Sequence, residues 1–417
     1  MAGTGPGPGQ FPATRSVDVT GTETDAWVAR RSQWVDNVKV VLVAAIIVGH
    51  AFGSYTSTEM FAYADVRETT LAPATEAALI AAIAPVGLFM IPALFLIAGL
   101  LTPRSLDRKG PGAFARERLW RLGLPFAIYS FLLWPALLYA LYRPLGNAPG
   151  SYWRELVGTP EEALDTGYLW FVGDLLLFSL VYAAWAAMRR RAPAAPAGGA
   201  APNPHRPTPS TEIRFTHLLA LAAVVATTTF AVRFVFPFDS QRFVDLNLYQ
   251  WPECIALFAL GVVAARRSWL TGIPDRLRRR CRAATLVSAA AFVGALGAAG
   301  IGGTLDQSSW EGGWQWASFV FAVGGSALAV FEPVWLLAEA QRHLGRPLRW
   351  VRPAASRSAY GAFVLQGLLL IGLAVALRPV PVPAELKALL VAAGSVAGSF
   401  GLSWLLVSRV PGMSKVL

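Results

Sequence analysis

The sequence predicts an all-α protein, a polytopic membrane helix bundle with ten transmembrane helices and both termini cytoplasmic. Three observations predict it. Hydrophobic residues make up 55% of the 417 and charged residues only 15%, against about 25% in soluble domains, so the chain lacks the polar surface to face water on all sides. Ten stretches supply the roughly 20 apolar residues that a helix needs to cross a hydrocarbon core. Lys and Arg crowd into every second connection between those stretches. Two cysteines, Cys254 and Cys281, exclude a disulfide framework and a multi-cysteine metal site, and no metal is expected.

In chain order, residues 1–35, rich in Gly, Pro, Thr and Ser, read as a disordered cytoplasmic tail, and 36–417 as one ten-helix domain. The spans fall at about 38–55, 79–101, 119–141, 168–188 and 217–236, then 249–265, 283–302, 315–341, 358–377 and 386–408. The first is retained, since no small-residue cleavage site follows it at the expected distance. Residues 189–214, which include RRRAPAAPAGGAAPNPHRPTP, read as a flexible cytoplasmic linker within the domain, too broken by Pro to fold alone. Small residues in GALGAAGIGG (294–303) and VGGSALA (323–329) point to close helix–helix packing. No repeat relates the first five spans to the last five, which disfavours an inverted-repeat transporter.

Orientation follows from charge. With the N-terminus inside, the inner tail, loops and C-terminus hold 28 Lys and Arg, the outer loops 7, and Lys39 lies within the first span. Positive residues are retained in the cytoplasm. The net charge of +11 is therefore mainly a topology signal and a contact with the lipid bilayer, and no nucleic-acid partner is expected.

The first span, DNVKVVLVAAIIVGHAFGSY (36–55), holds three unexpected residues: Asp36, Lys39 and His50. At ~100° per residue, Lys39 and His50 lie on one stripe about 16 Å apart along the axis, with Asp36 close to the same stripe. Lys39 is placed either to snorkel to the headgroups or to act, and Asp36 suits a helix N-terminus. His50 lies too deep to snorkel easily. It is read as functional or as a hydrogen-bonded packing residue; imidazole is a natural general base for a hydroxyl at neutral pH. Asp174, Glu253, Glu332, Glu339 and Gln366 are further intramembrane polar residues, fit either for an ion path or for partnering Arg and His.

From Asp36 to Leu417 the chain resembles the membrane acyltransferase-3 family of multi-pass O-acyltransferases. Asp36-x-x-Lys39 followed by His50 is similar to the family's D-x-x-R…H first helix. FMIPALFLIAGLLTPRSLDRKGPGAFARERLWRLGLPF (89–126) carries the Phe-rich second span, Ala98-Gly99, and R-x-R-x-x-R at Arg116, Arg118 and Arg121, then Pro125. GYLWFVGDLLLF (167–178), FALG (258–261), SRSAYGAFVLQ (356–366) and the closing RVPGMSKVL resemble other family segments. Lys39 stands where most members have Arg, and so lacks the planar fork that binds anions bidentately. Gln366 stands where many have His, and Phe363 in the usual Tyr position.

The resemblance implies acyl transfer from a cytoplasmic acyl-CoA, with acetyl-CoA as the default, to a hydroxyl of a glycan, lipid or secondary metabolite. His50 is then the base, with Asp36 and Lys39 fixing the helix end beside the donor. Arg116, Arg118 and Arg121, with Arg104, Arg108 and Lys109, are the implied anchor for the CoA phosphates, although positive-inside loops are basic in any case. An orienting carboxylate for His50 has to come from another span, with Asp174 and Glu253 as candidates. Without the motifs, a secondary transporter or proton-coupled exporter using the same His and carboxylates accounts for the residues equally well, and a lipid-scrambling protein would need none of them.

Overall fold

The computed structural model describes residues 19–57, 63–142, 165–191, 212–238, 246–267, 269, 272–301, 310–345 and 353–417. Among these there are helices and turns and no strand. Ten helices are long and apolar enough to cross a membrane: α1 Gln33–Gly53, α2 Pro73–Lys109, α3 Pro111–Leu141, α4 Gly167–Arg190, α5 Phe215–Val232, α6 Leu248–Arg266, α7 Asp275–Ala298, α8 Trp316–His343, α9 Ala355–Leu377 and α10 Ala384–Arg409. Each overlaps one predicted span.

The helix carrying α1 begins earlier, at Val19, inside the stretch read as a tail. Nothing between Thr22 and Lys39 is Gly or Pro, so no residue there stops a helix; residues 1–18 lie outside the described residues. Of the predicted linker, Arg189 to Arg191 extend the helix of α4, and 192–211 lie outside the described residues.

At 37 residues, α2 is about 55 Å long, more than a ~30 Å hydrocarbon core requires, and its last turns carry Arg104, Arg108 and Lys109 beyond the apolar stretch. Gly110 ends it at φ +79°, a region that favours glycine, and Pro111 starts α3 at once. In α3 two π-type turns, Leu119–Gly123 and Tyr129–Leu133, each finish two residues before a proline, Pro125 and Pro135. The N–H of Leu124 bonds the Leu119 carbonyl and that of Trp134 the Tyr129 carbonyl. These i−5 bonds accommodate a ring that would otherwise clash with the carbonyl four residues back.

Helix α1 packs against α2, α8, α9 and α10; α2 also packs on α6 and α8, α5 and α7 on α8, and α3 on α4. Side-chain contacts gather the starts of odd helices and the ends of even ones at a single arginine-rich end. There Asn37 Nδ2 donates to the Leu344 carbonyl at 2.8 Å, Arg278 pairs with Glu339 at 2.7 Å, and Arg190 with Asp107 at 3.8 Å.

Helix α10 meets α9 through a small-residue stripe that includes Ala384, Ala388, Ala392, Ser395, Ser399 and Ser403, all buried. The VGGSALA run behaves as expected: Gly325, Ser326, Leu328 and Ala329 are buried. In the GALGAAGIGG run, of which 302–303 lie outside the described residues, Gly294 and Gly297 do not. Among the described residues, nothing would approach a Cβ at Gly294 or Gly297 within 4 Å, because α7 leans mainly on α8 alone and turns the rest of its surface outward.

Candidate active site

The site is built around α1. At the arginine-rich end Lys39 Nζ lies 2.8 Å from Asp36 Oδ1, with both side chains 36% exposed, so the two, three residues apart on the helix, form an ion pair. Three turns further along the same stripe stands His50, half-buried. Its Nδ1 lies 3.1 Å from Oε1 of Gln366 on α9, a fully buried amide. The imidazole also packs on Tyr168, with ring centroids 4.6 Å apart and planes tilted by 38°.

The chain presents Tyr168 by a local device. Gly167 adopts φ +53°, and a Cβ there would fall 2.6 Å from the Trp134 ring, so only glycine fits the turn. Asp165 fixes both sides of it, accepting from Trp134 Nε1 and from the Gly167 N–H, each at 2.7 Å. Trp134 stacks on Tyr129 at 5.7 Å and meets Tyr168 edge-on at 5.5 Å. Gly367 completes the wall, since a Cβ there would lie 2.3 Å from Tyr129 Oη and 2.7 Å from Tyr168 Cδ2. Just beyond His50, Ser54 donates to the His50 carbonyl at 2.8 Å.

The three arginines of α3 divide. Arg118 is half-buried, with its guanidinium 4.9 Å from the Phe114 ring centre, and both Arg118 and Arg121 act electrostatically on Tyr360 of α9. Arg121 is 3.8 Å from Glu117, which also binds Lys109. Arg116, two residues from Arg118 and so on another face of the helix, is exposed. The described residues hold no group of three His, Cys, Asp or Glu fit for a metal. A groove of about 370 Å³ lies elsewhere, between α5 and α6, lined by Leu218, Leu221, Ala256 and Leu260 among others.

A family model described as an acyltransferase domain, of the acyltransferase-3 type, matches residues 32–408, nearly the whole chain. The chain belongs to this family. No curated protein and no solved structure matches it.

In this membrane acyltransferase the structure joins residues far apart in sequence and corrects one expectation. The side chain found against His50 is neither Asp174 nor Glu253 but the neutral amide of Gln366. Glu253, in the first turn of α6, accepts from Thr229 of α5 at 2.9 Å, and Asp174 on α4 neighbours Cys254. Glu339 is likewise engaged, with Arg278 and with Trp335 Nε1 at 2.9 Å. Glu117, within the basic patch, offsets part of its charge by pairing with Lys109 and Arg121. Tyr168 directly follows Gly167, the one local mark of its turn, whereas Tyr129, between Ile128 and Ser130, has no such mark in the sequence.

Proposed function

We propose that this acyltransferase moves an acyl group, acetyl by default, from acyl-CoA on its arginine-rich side to a hydroxyl of a glycan, lipid or secondary metabolite, with His50 as general base. The observation that carries the reading is the stripe on α1. It rises from the Lys39–Asp36 pair at the basic end to a half-buried imidazole among helices, held against Gln366 and Tyr168.

Arginine suits phosphates by its planar fork; Arg118 and Arg121 act electrostatically on Tyr360 where a CoA headgroup would approach, and Arg116, on another face of α3, and Lys39 add charge at the same end of the bundle. The pantetheine arm would reach along the stripe toward His50, about 16 Å deeper. There the imidazole takes the acceptor's O–H proton, the oxygen attacks the thioester carbonyl, and the C–S bond breaks. The proton then passes to the departing sulfur, giving an ester and free CoA thiol. The enzyme would sit in the cell membrane with its basic end and both termini in the cytoplasm, as the charge asymmetry supports.

The test follows thiol release from acetyl-CoA by the purified protein in nanodiscs of native membrane lipid, beside uptake into liposomes. Thioester consumption lost in His50→Ala supports acyl transfer. Solute flux with no thioester consumed would replace it with a transporter.

A further inference from the structure

We propose that Gln366 is the positioning residue for His50, fixing its tautomer and holding the Nε2 lone pair ready for the acceptor hydroxyl, a role that rests on the acyl-transfer reading above. An amide oxygen can only accept a hydrogen bond. With Gln366 Oε1 at 3.1 Å, it is the imidazole Nδ1 that carries the hydrogen and donates it. A neutral imidazole has one N–H, so the ring lone pair is on Nε2.

The surroundings keep that arrangement in place. Gln366 is fully buried, and the next residue, Gly367, presses its backbone against Tyr129 Oη and the Tyr168 ring, so the helix segment carrying the amide has no room to rotate. On the imidazole itself the Tyr168 ring, 4.6 Å away, restricts the swing of His50. Contacts from two other helices thus bear on the ring. Among the described residues, titratable groups facing this region include Tyr168 from α4 and Tyr129 from α3, with Asp165 behind them engaged by Trp134 and the Gly167 N–H.

The amide's neutrality suits the proposed step. A carboxylate at this place would hold the imidazolium once formed, whereas an amide orients the ring and leaves the proton free to move on. Through the cycle the hydrogen stays on Nδ1, donated to Gln366 Oε1, and only the Nε2 proton travels, from acceptor oxygen to nitrogen to thiolate sulfur.

The experiment compares wild type, Gln366→Leu, Gln366→Glu and His50→Ala in nanodiscs of native membrane lipid. Two readouts are taken: thiol release from acetyl-CoA against pH, and modification of His50 by diethyl pyrocarbonate against pH, located by mass spectrometry. Gln366→Leu should lower kcat on the order of a hundredfold, with KM for acetyl-CoA and the thermal midpoint little changed. Gln366→Glu keeps an acceptor oxygen and should turn over at least ~10-fold faster than Gln366→Leu, while the acid limb of its rate profile and of His50 modification moves up by about one pH unit or more. A wild-type kcat in Gln366→Leu, or an unshifted modification profile in Gln366→Glu, overturns the assignment. Solute flux with no thioester consumed by any variant would instead sink the acyl-transfer reading, and the modification profile would still decide what Gln366 does to the ring.

Discussion

Gly99 of α2 and Gly261 of α6 lie back to back where their helices cross. A Cβ on Gly99 would fall 2.2 Å from the Phe258 carbonyl oxygen, and one on Gly261 2.4 Å from that of Leu96. The Ala98-Gly99 and FALG segments are thus two halves of a single packing contact: each helix has given up its side chain so that the backbones can touch.

Either Gly99→Val or Gly261→Val should therefore destabilise the bundle, by about 3 kcal/mol at the upper end of overpacking costs, since the obstructing atoms are backbone. Thermal unfolding in detergent measures it. Gly294→Ala, in the open part of α7, serves as the control and should leave the midpoint unlowered, because alanine is the better helix former.

His50→Ala should lower acyl transfer by about 10²–10⁴-fold, the usual contribution of a general base, while the protein still inserts and keeps its ten spans. Thiol release from acetyl-CoA, set beside circular dichroism of the same preparation, checks both halves. Turnover near the wild-type rate would remove the base from the mechanism.

Lys39→Ala and Arg118→Ala should each raise KM for acyl-CoA more than KM for the acceptor. The Lys39–Asp36 pair is 36% exposed on each side, and such pairs contribute about 1 kcal/mol or less to stability, so a large loss in Lys39→Ala would reflect donor use rather than folding. Equal dependence on donor concentration in mutant and wild type counts against this role.

At the end opposite the arginines, Lys387 of α10 pairs with Glu68 in the connection between α1 and α2. The lysine is 3% exposed and the carboxylate 20%. Glu68→Gln strands a buried cation and should cost about 3 kcal/mol; Lys387→Met leaves a carboxylate that water can reach and should cost less. Burial opposes ionisation of Glu68, but hydrogen bonds from Lys387 and Tyr63 outweigh it and hold the carboxyl below its ordinary range. The pair's stabilisation is thus fully present above the unfolded-state value of about 4.3 and is lost as pH falls through the lower folded-state value. Thermal midpoints from about pH 7 down to about pH 3 should fall in wild type and fall less in Glu68→Gln. A parallel decline in both would show that Glu68 is not the group responsible.

Several features were legible in the residues alone. Ten apolar stretches, the crowding of Lys and Arg, and the stripe from Asp36 through Lys39 to His50 are all set by spacing along one helix, and a helix has the same periodicity wherever it packs. The pairing of Asp36 with Lys39 was readable for the same reason. The starts and ends of the long helices were less so: α2 runs on to Lys109 because prolines near its start and within it do not stop a helix supported by its neighbours.

What the chain determined by itself is local: which segments are apolar enough to be helices across a membrane, and which side chains share a face. What only the tertiary structure decided is which distant residues meet. Gln366 rather than a carboxylate faces His50 across 316 positions, and Tyr168 covers the imidazole, because helices of near-uniform apolarity are selected as neighbours by the shapes of their surfaces and the placing of glycines, and hydropathy carries no record of shape.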